Sequence, residues 1–175
     1  RANVLPLNPR NKPRASLNSK KMFDLDGVAN LAQPQAPVAM KKTITMTINL
    51  SQAITQGVVI AQGGTNHGWS LYLQDGSLKF ATRVNGKLVV VSSDHQWDPE
   101  ITTIAVKYRK NGTVQVKRGS DVLLQGKTGG SMIEMPIDGL QVGQDQGGAV
   151  GNYEQPYPLN GKVHRIQLVI EDNDS

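Results

Sequence analysis

The sequence predicts an all-β fold, an antiparallel β-sandwich or jelly roll. Three observations lead there. Short runs alternate apolar and polar residues from residue 40 onward. Asp75-Gly76, Asn85-Gly86 and Asn111-Gly112 supply tight-hairpin dipeptides between such runs. No stretch carries the period of an amphipathic helix. A closed barrel is the structural alternative, and no repeat of propeller or solenoid length is present.

The elements follow in order. Ile44, Met46, Ile48 and Leu50 alternate with threonines and an asparagine, a half-buried strand. Gly57 to Gln62 reads as a second, more fully buried strand. Trp69, Leu71 and Leu73 alternate with Ser70, Tyr72 and Gln74, placing Trp69 in the core and Ser70 on the solvent face. Asp75-Gly76 turns the chain into a return strand with Leu78, Phe80 and Thr82. Asn85-Gly86 leads into Lys87–Ser93. Ile104, Val106 and Tyr108 alternate, Asn111-Gly112 turns, and Val114 and Val116 return. Val122 and Leu124 mark a short strand, and Gly139–Gln144 and Lys162–Glu171 close a set of about ten.

Residues 1–39 differ. They hold five of the nine prolines and little periodicity, so they are expected to form an extended linker or strap from a preceding domain, with the sandwich over 40–175. Within them, Phe23-Asp24-Leu25-Asp26-Gly27 reads as a short strand or a turn. The chain starts at Arg1 without an apolar signal core, which suggests a piece of a larger protein.

Composition excludes several classes of function. The 175 residues include no cysteine, which removes disulfides, a thiol nucleophile and cysteine-ligated zinc. No apolar run approaches the ~20 residues that a helix needs to cross lipid, so no membrane partner is expected. The net charge of +5 resides in the first 21 residues, which hold six basic and no acidic side chains. Thirteen basic residues face 14 acidic ones in the remainder. The basic arm reads as a solvated linker or a strap on a neighbouring domain, and no nucleic-acid partner is expected.

Candidate chemistry is sparse. His67, His95 and His164 fall on different elements. No G-x-S-x-G elbow is present, and the glycine-rich run Gln141–Gly151 lacks the lysine of a phosphate loop. A glucanase-type enzyme would need two carboxylates across a cleft, and no strand carries a close-spaced pair. Asp145, Asn152 and Glu154 offer oxygen ligands of the kind calcium takes, although turn chemistry accounts for the same residues. Tyr72, Trp97, Tyr153 and Tyr157 are the candidate exposed rings for stacking on sugars. With Asp145 they form the set of candidate ligand or domain contacts. Pro156 and Pro158 flank Tyr157, so Tyr153 and Tyr157 also suit the fastening of a long loop.

Several segments, in order, resemble the C-terminal region of bacterial arylsulfatases. They are Val4 to Arg10, Gly57 to Gly64 with Gly68-Trp69-Ser70-Leu71-Tyr72, Asp75 to Leu78, Val142 to Asp145, and Tyr153 to Val163. The Ala61-Gln62-Gly63-Gly64 and Gly68 to Tyr72 block is the most specific. Gln144 and Leu159 depart from the arginine and phenylalanine of the pattern. The resemblance implies a concanavalin A-like (LamG-like) or jelly-roll accessory domain, non-catalytic, partnered by a sulfatase catalytic domain of the same polypeptide. It also implies a periplasmic or secreted location. The family's C/S-x-P-x-R nucleophile motif is missing, so no active-site residue carries over. A carbohydrate-binding module for sulfated or other polysaccharides is the alternative.

Overall fold

The computed structural model describes residues 20–26, 30–31, 41–130 and 139–172. Among them, twelve strands form two six-stranded antiparallel sheets, the sandwich that the alternation predicts. Numbered along the chain, they are β1 (Lys20–Asp26), β2 (Asn30–Leu31), β3 (Thr43–Leu50), β4 (Gly57–Gly63), β5 (Gly68–Gln74) and β6 (Ser77–Val84). Then come β7 (Lys87–Ser92), β8 (Thr103–Tyr108), β9 (Thr113–Arg118), β10 (Asp121–Lys127), β11 (Leu140–Val142) and β12 (Val163–Glu171). The first sheet has the order β1-β12-β3-β8-β9-β10 and the second β2-β11-β4-β5-β6-β7.

Turn chemistry sets the register of the second sheet. Asp75 and Gly76 both take positive φ, 52° and 77°, as do Asn85 and Gly86, 53° and 80°. Positive φ at both central positions is the type I′ geometry whose twist matches paired strands. It fixes the pairs Gln74↔Ser77 and Val84↔Lys87, and with them every side chain on β5, β6 and β7.

The core lies between the sheets. Ile44, Met46 and Ile48 of β3 and Ile166, Leu168 and Ile170 of β12 join Trp69, Leu71, Leu73 and Phe80 in one buried cluster. Trp69 stacks on Phe80 with centroids 6.1 Å apart, and Phe80 tilts against Tyr108 at 5.0 Å. Each such ring pair contributes about 0.5–1.5 kcal/mol beyond its area. That matters in a chain with few aromatics.

Three elements differ from the sequence reading. The strand around Val122 and Leu124 runs over Asp121–Lys127, with a bulge between those two residues that conceals its length from a period-2 search. Gly139–Gln144 yields only the three-residue β11. Lys20–Asp26 forms the strand alternative of the early segment and pairs with β12 along its whole length, sending Leu25 into the core. The remainder of 1–39, including Arg1, Arg10, Lys12 and Arg14 of the basic arm, lies outside the described residues apart from β2.

Candidate functional site

Alternation sends Trp69, Leu71 and Leu73 inward and Ser70 and Tyr72 outward. Ser70 and Tyr72 are nevertheless fully buried, which corrects the expectation of a solvent-facing serine and an exposed Tyr72 ring. The reason is the long connection between β11 and β12, which folds back over the outer face of β4 and β5. Its return is secured by the backbone: Val58 donates to the Tyr157 carbonyl at 2.9 Å and Asp145 donates to the Pro156 carbonyl at 2.8 Å. A second, smaller apolar cluster forms outside the main core. It comprises Val58, Ala61, Tyr72 and Ala81, with Leu88, Val90, Tyr153 and Tyr157 packed against them.

A polar latch locks this cover. The Tyr153 hydroxyl donates to Asp145 Oδ2, which also accepts the Val150 amide at 2.9 Å. With its proton so committed, the Tyr153 oxygen accepts from Ser70 Oγ at 2.9 Å. Asp145 is 2% exposed, so the candidate ligand carboxylate is spent on the protein's own donors. Burial, then the Asp145 charge, pushes the Tyr153 phenol far above its ordinary value. Tyr153 meets Tyr72 edge-on at 4.8 Å and stacks on Tyr157 at 5.2 Å. The Tyr157 hydroxyl donates to the Leu73 carbonyl at 3.0 Å. The Tyr72 hydroxyl lies beside the Asn152 backbone without a well-formed hydrogen bond, and burial raises its phenol. Gly151 is required for close approach, since a Cβ there would lie 2.4 Å from the Tyr153 ring and 2.8 Å from Tyr72.

The sequence candidates therefore part company. Tyr72, Tyr153, Tyr157 and Asp145 come together; Trp97 does not join them. Trp97 is 7% exposed, sits in the main core and donates Nε1–H to the Ile54 carbonyl at 2.9 Å. It offers no ring to a ligand. Among the described residues no group of three or more His, Cys, Asp or Glu side chains is placed to hold a metal ion.

The cover leaves the β6–β7 side of the same face open, and residues not singled out from the sequence define it. Lys79, Ala81 and Arg83 of β6 lie opposite Ser92, Val90 and Leu88 of β7. Leu88 and Val90 are half-buried and pack over the fully buried Ala81, which makes a shallow apolar floor of these two side chains. Lys79 and Arg83 stand at its two ends. Arg83 Nε donates to the Val150 carbonyl at 2.9 Å and Nη1 to Gly86 at 3.1 Å, while Lys79 Nζ donates to Gln74 Oε1 at 3.1 Å. Gln74 Nε2 in turn holds the Asn152 carbonyl at 2.8 Å. The shelf is thus apolar underneath, cationic at both ends, and walled by the 150–153 segment. The signal for it was the complement of the Leu78-Phe80-Thr82 alternation: two cations four residues apart on the outward side of one strand.

No family model matches this chain, and no curated protein matches it. Solved structures do share its fold. The CBM40 module of the Ruminococcus gnavus IT-sialidase superposes with a TM-score of 0.57 at 14% identity, covering 86% of this chain and 88% of that one. The same module bound to α2,3-sialyllactose gives 0.55 at 13% identity, over 82% and 85%. Domains LG4-5 of the mouse laminin α1 chain give 0.56 at 13% identity, covering 83% of this chain and 39% of that chain. The architecture is therefore the jelly-roll sandwich shared by carbohydrate-binding modules and laminin G domains. At these identities the likeness concerns the fold alone, and none of the three is a sulfatase domain.

Proposed function

We propose that the chain is a non-catalytic glycan-binding module that takes an acidic sugar on the β6–β7 shelf. The observation that carries the reading is the juxtaposition on that shelf of an apolar floor (Leu88 and Val90, packed over the buried Ala81) with Lys79 and Arg83. A sugar ring carries an apolar face and hydroxyl edges, and an acidic sugar adds a carboxylate suited to charge-assisted hydrogen bonds. Two structural neighbours support the ligand class, since they are CBM40 modules and one holds α2,3-sialyllactose. The Tyr153–Asp145–Ser70 latch supports binding without chemistry: its carboxylate is buried and committed to the Tyr153 hydroxyl and the Val150 amide, where it stabilises a wall.

Calorimetric titration of the chain with α2,3-sialyllactose and with lactose tests this. Binding of the acidic sugar only is expected, with Lys79→Ala weakening it about tenfold through one lost charge-assisted contact. Equal binding of lactose, or no heat with sialyllactose, defeats the reading.

A second reading is the accessory domain of an arylsulfatase-like enzyme, packed on its catalytic domain. The collinear sequence blocks favour it, and so does the half-buried Leu88–Val91 run on the terminal strand of the second sheet, which a neighbouring domain would cover. Deleting the segment from the parent polypeptide without loss of folding or turnover would remove it.

A further inference from the structure

We infer that the shelf is one end of a longer track, and that the ligand is an oligosaccharide with an anionic residue linked to a neutral one. This rests on the glycan-binding reading above and adds a second subsite to it. Ser92, the cross-strand partner of Lys79, is the last residue of β7. Just beyond it the chain enters a cleft of about 270 Å³ between the edges of the two sheets, with Ser92, Asp94 and His95 on one side and Val122 to Gln125 of β10 on the other. Shelf and cleft therefore meet at Ser92. From the Arg83–Leu88 pair to the Lys79–Ser92 pair is four residues, about 13 Å at the rise of a strand, before the cleft begins.

The cleft has the lining of a subsite for a neutral, hydroxylated ring. Its floor is apolar: Val122 is 45% exposed, the one large hydrophobic side chain among the described residues that is exposed and not at least half-buried. Its rim mixes acceptors and donors. Asp94 and His95 are exposed, and Ser92 adds a hydroxyl. Gln125 Oε1 accepts Gln115 Nε2 at 2.8 Å, which leaves the Gln125 amide nitrogen to serve as a donor. No lysine or arginine lines the cleft, and Asp94 would repel a carboxylate or sulfate. An anion is thus steered to Lys79 and Arg83, and a neutral polyol to Asp94, whose two oxygens can accept neighbouring hydroxyls.

The rim is fixed before any ligand arrives. Ser93 Oγ donates to the His95 carbonyl at 2.9 Å and accepts the Leu78 amide at 3.1 Å. The Ser93 amide donates to the Leu78 carbonyl at 2.8 Å, and Trp97 N donates to Gly76 at 2.7 Å. Trp97, buried in the main core, anchors the segment that presents Asp94 and His95.

The test compares N-acetylneuraminic acid, α2,3-sialyllactose and lactose as titrants of the wild-type chain and of the Asp94→Ala/His95→Ala variant. The wild type is expected to bind sialyllactose about tenfold more tightly than the monosaccharide. The variant should lose that ratio while keeping the monosaccharide affinity. Amide shifts of residues 92–95 and 122–125 in the wild type should move with sialyllactose and not with the monosaccharide, a readout independent of the variant's folding. Equal affinities for the two acidic sugars, or a ratio unchanged in the variant, overturn the track and leave the shelf standing. No binding of either acidic sugar removes the shelf, and the track with it.

Discussion

Replacing Tyr153 by Phe isolates the latch that holds the cover down. The ring remains, so the contacts with Tyr72 at 4.8 Å and Tyr157 at 5.2 Å survive. One oxygen is lost. Asp145, 2% exposed, then keeps the Val150 amide at 2.9 Å and loses a charge-assisted donor. Ser70, fully buried, loses the acceptor it had at 2.9 Å. A hydrogen bond to a charged group contributes about 1.5–3 kcal/mol, and a stranded buried hydroxyl costs about 1 kcal/mol or more. Relief from burying the phenol oxygen offsets part of this, leaving an expected loss of about 2–3 kcal/mol. In a domain of this size that lowers Tm by roughly 4–12 °C.

Urea unfolding followed by tryptophan fluorescence measures it, because Trp69 and Trp97 are both buried in the main core. The cycle Tyr153→Phe with Ser70→Ala should show a coupling of at least about 0.5 kcal/mol, as expected for two partners in one network. A loss under about 0.5 kcal/mol for Tyr153→Phe, or strict additivity with Ser70→Ala, would refute the latch as a stabilising unit.

Gly151→Ala should destabilise the cover by driving a methyl to 2.4 Å from the Tyr153 ring; limited proteolysis should then cut within 146–155 first, and an unchanged cleavage pattern would contradict this. Burial raises the Tyr108 and Tyr153 phenols above their ordinary value of 10.0. Their contribution is therefore fully present below pH ~10 and is lost above it, at up to about 1.4 kcal/mol per pH unit for each phenol. Tyr153→Phe should flatten the alkaline limb of a urea-midpoint profile. The Asp98 carboxyl is held below the usual carboxylate range first by the Glu100 amide and secondarily by Arg118. An NMR titration should place its midpoint low, and Arg118→Ala should raise it only partway.

The main sandwich was legible because strand periodicity and turn chemistry are local. Ile44–Leu50 and the Asp75-Gly76 and Asn85-Gly86 hairpins carry their register within a few residues. The candidate site was legible only in part, because its burial is set by distant chain. Nothing around Ser70 or Tyr72 signals that residues about 80 positions later will cover them, so alternation gave the correct face and the wrong exposure. Trp97 misled for the opposite reason. Flanked by Gln96, Asp98 and Pro99, it has no apolar periodicity, yet it plugs the main core. Lys79 and Arg83 were overlooked because a cation on a strand's outward side is ordinary. They gain meaning only beside Leu88 and Val90, which the β6–β7 register supplies.

The latch also bears on why a buried charge persists where apolar packing would serve. Replacing a whole buried polar network by shape-matched apolar residues is often neutral or stabilising, whereas breaking one member is costly. Converting Asp145, Tyr153 and Ser70 together to Leu, Phe and Ala should therefore recover much of the stability that Tyr153→Phe loses. It should not recover the shelf. The Val150 amide would lose the carboxylate that fixes it, and the Val150 carbonyl is the acceptor that orients Arg83 at 2.9 Å. The hydrogen bonds run from Ser70 through Tyr153 and Asp145 to Val150, and the Val150 backbone, bonded through its amide on one side and its carbonyl on the other, passes the constraint on to Arg83, so one buried charge sets the position of a half-buried one. A triple variant with near-wild-type stability and weakened binding of sialyllactose would separate the two roles. Undiminished binding would mean that Arg83 is placed by Gly86 alone.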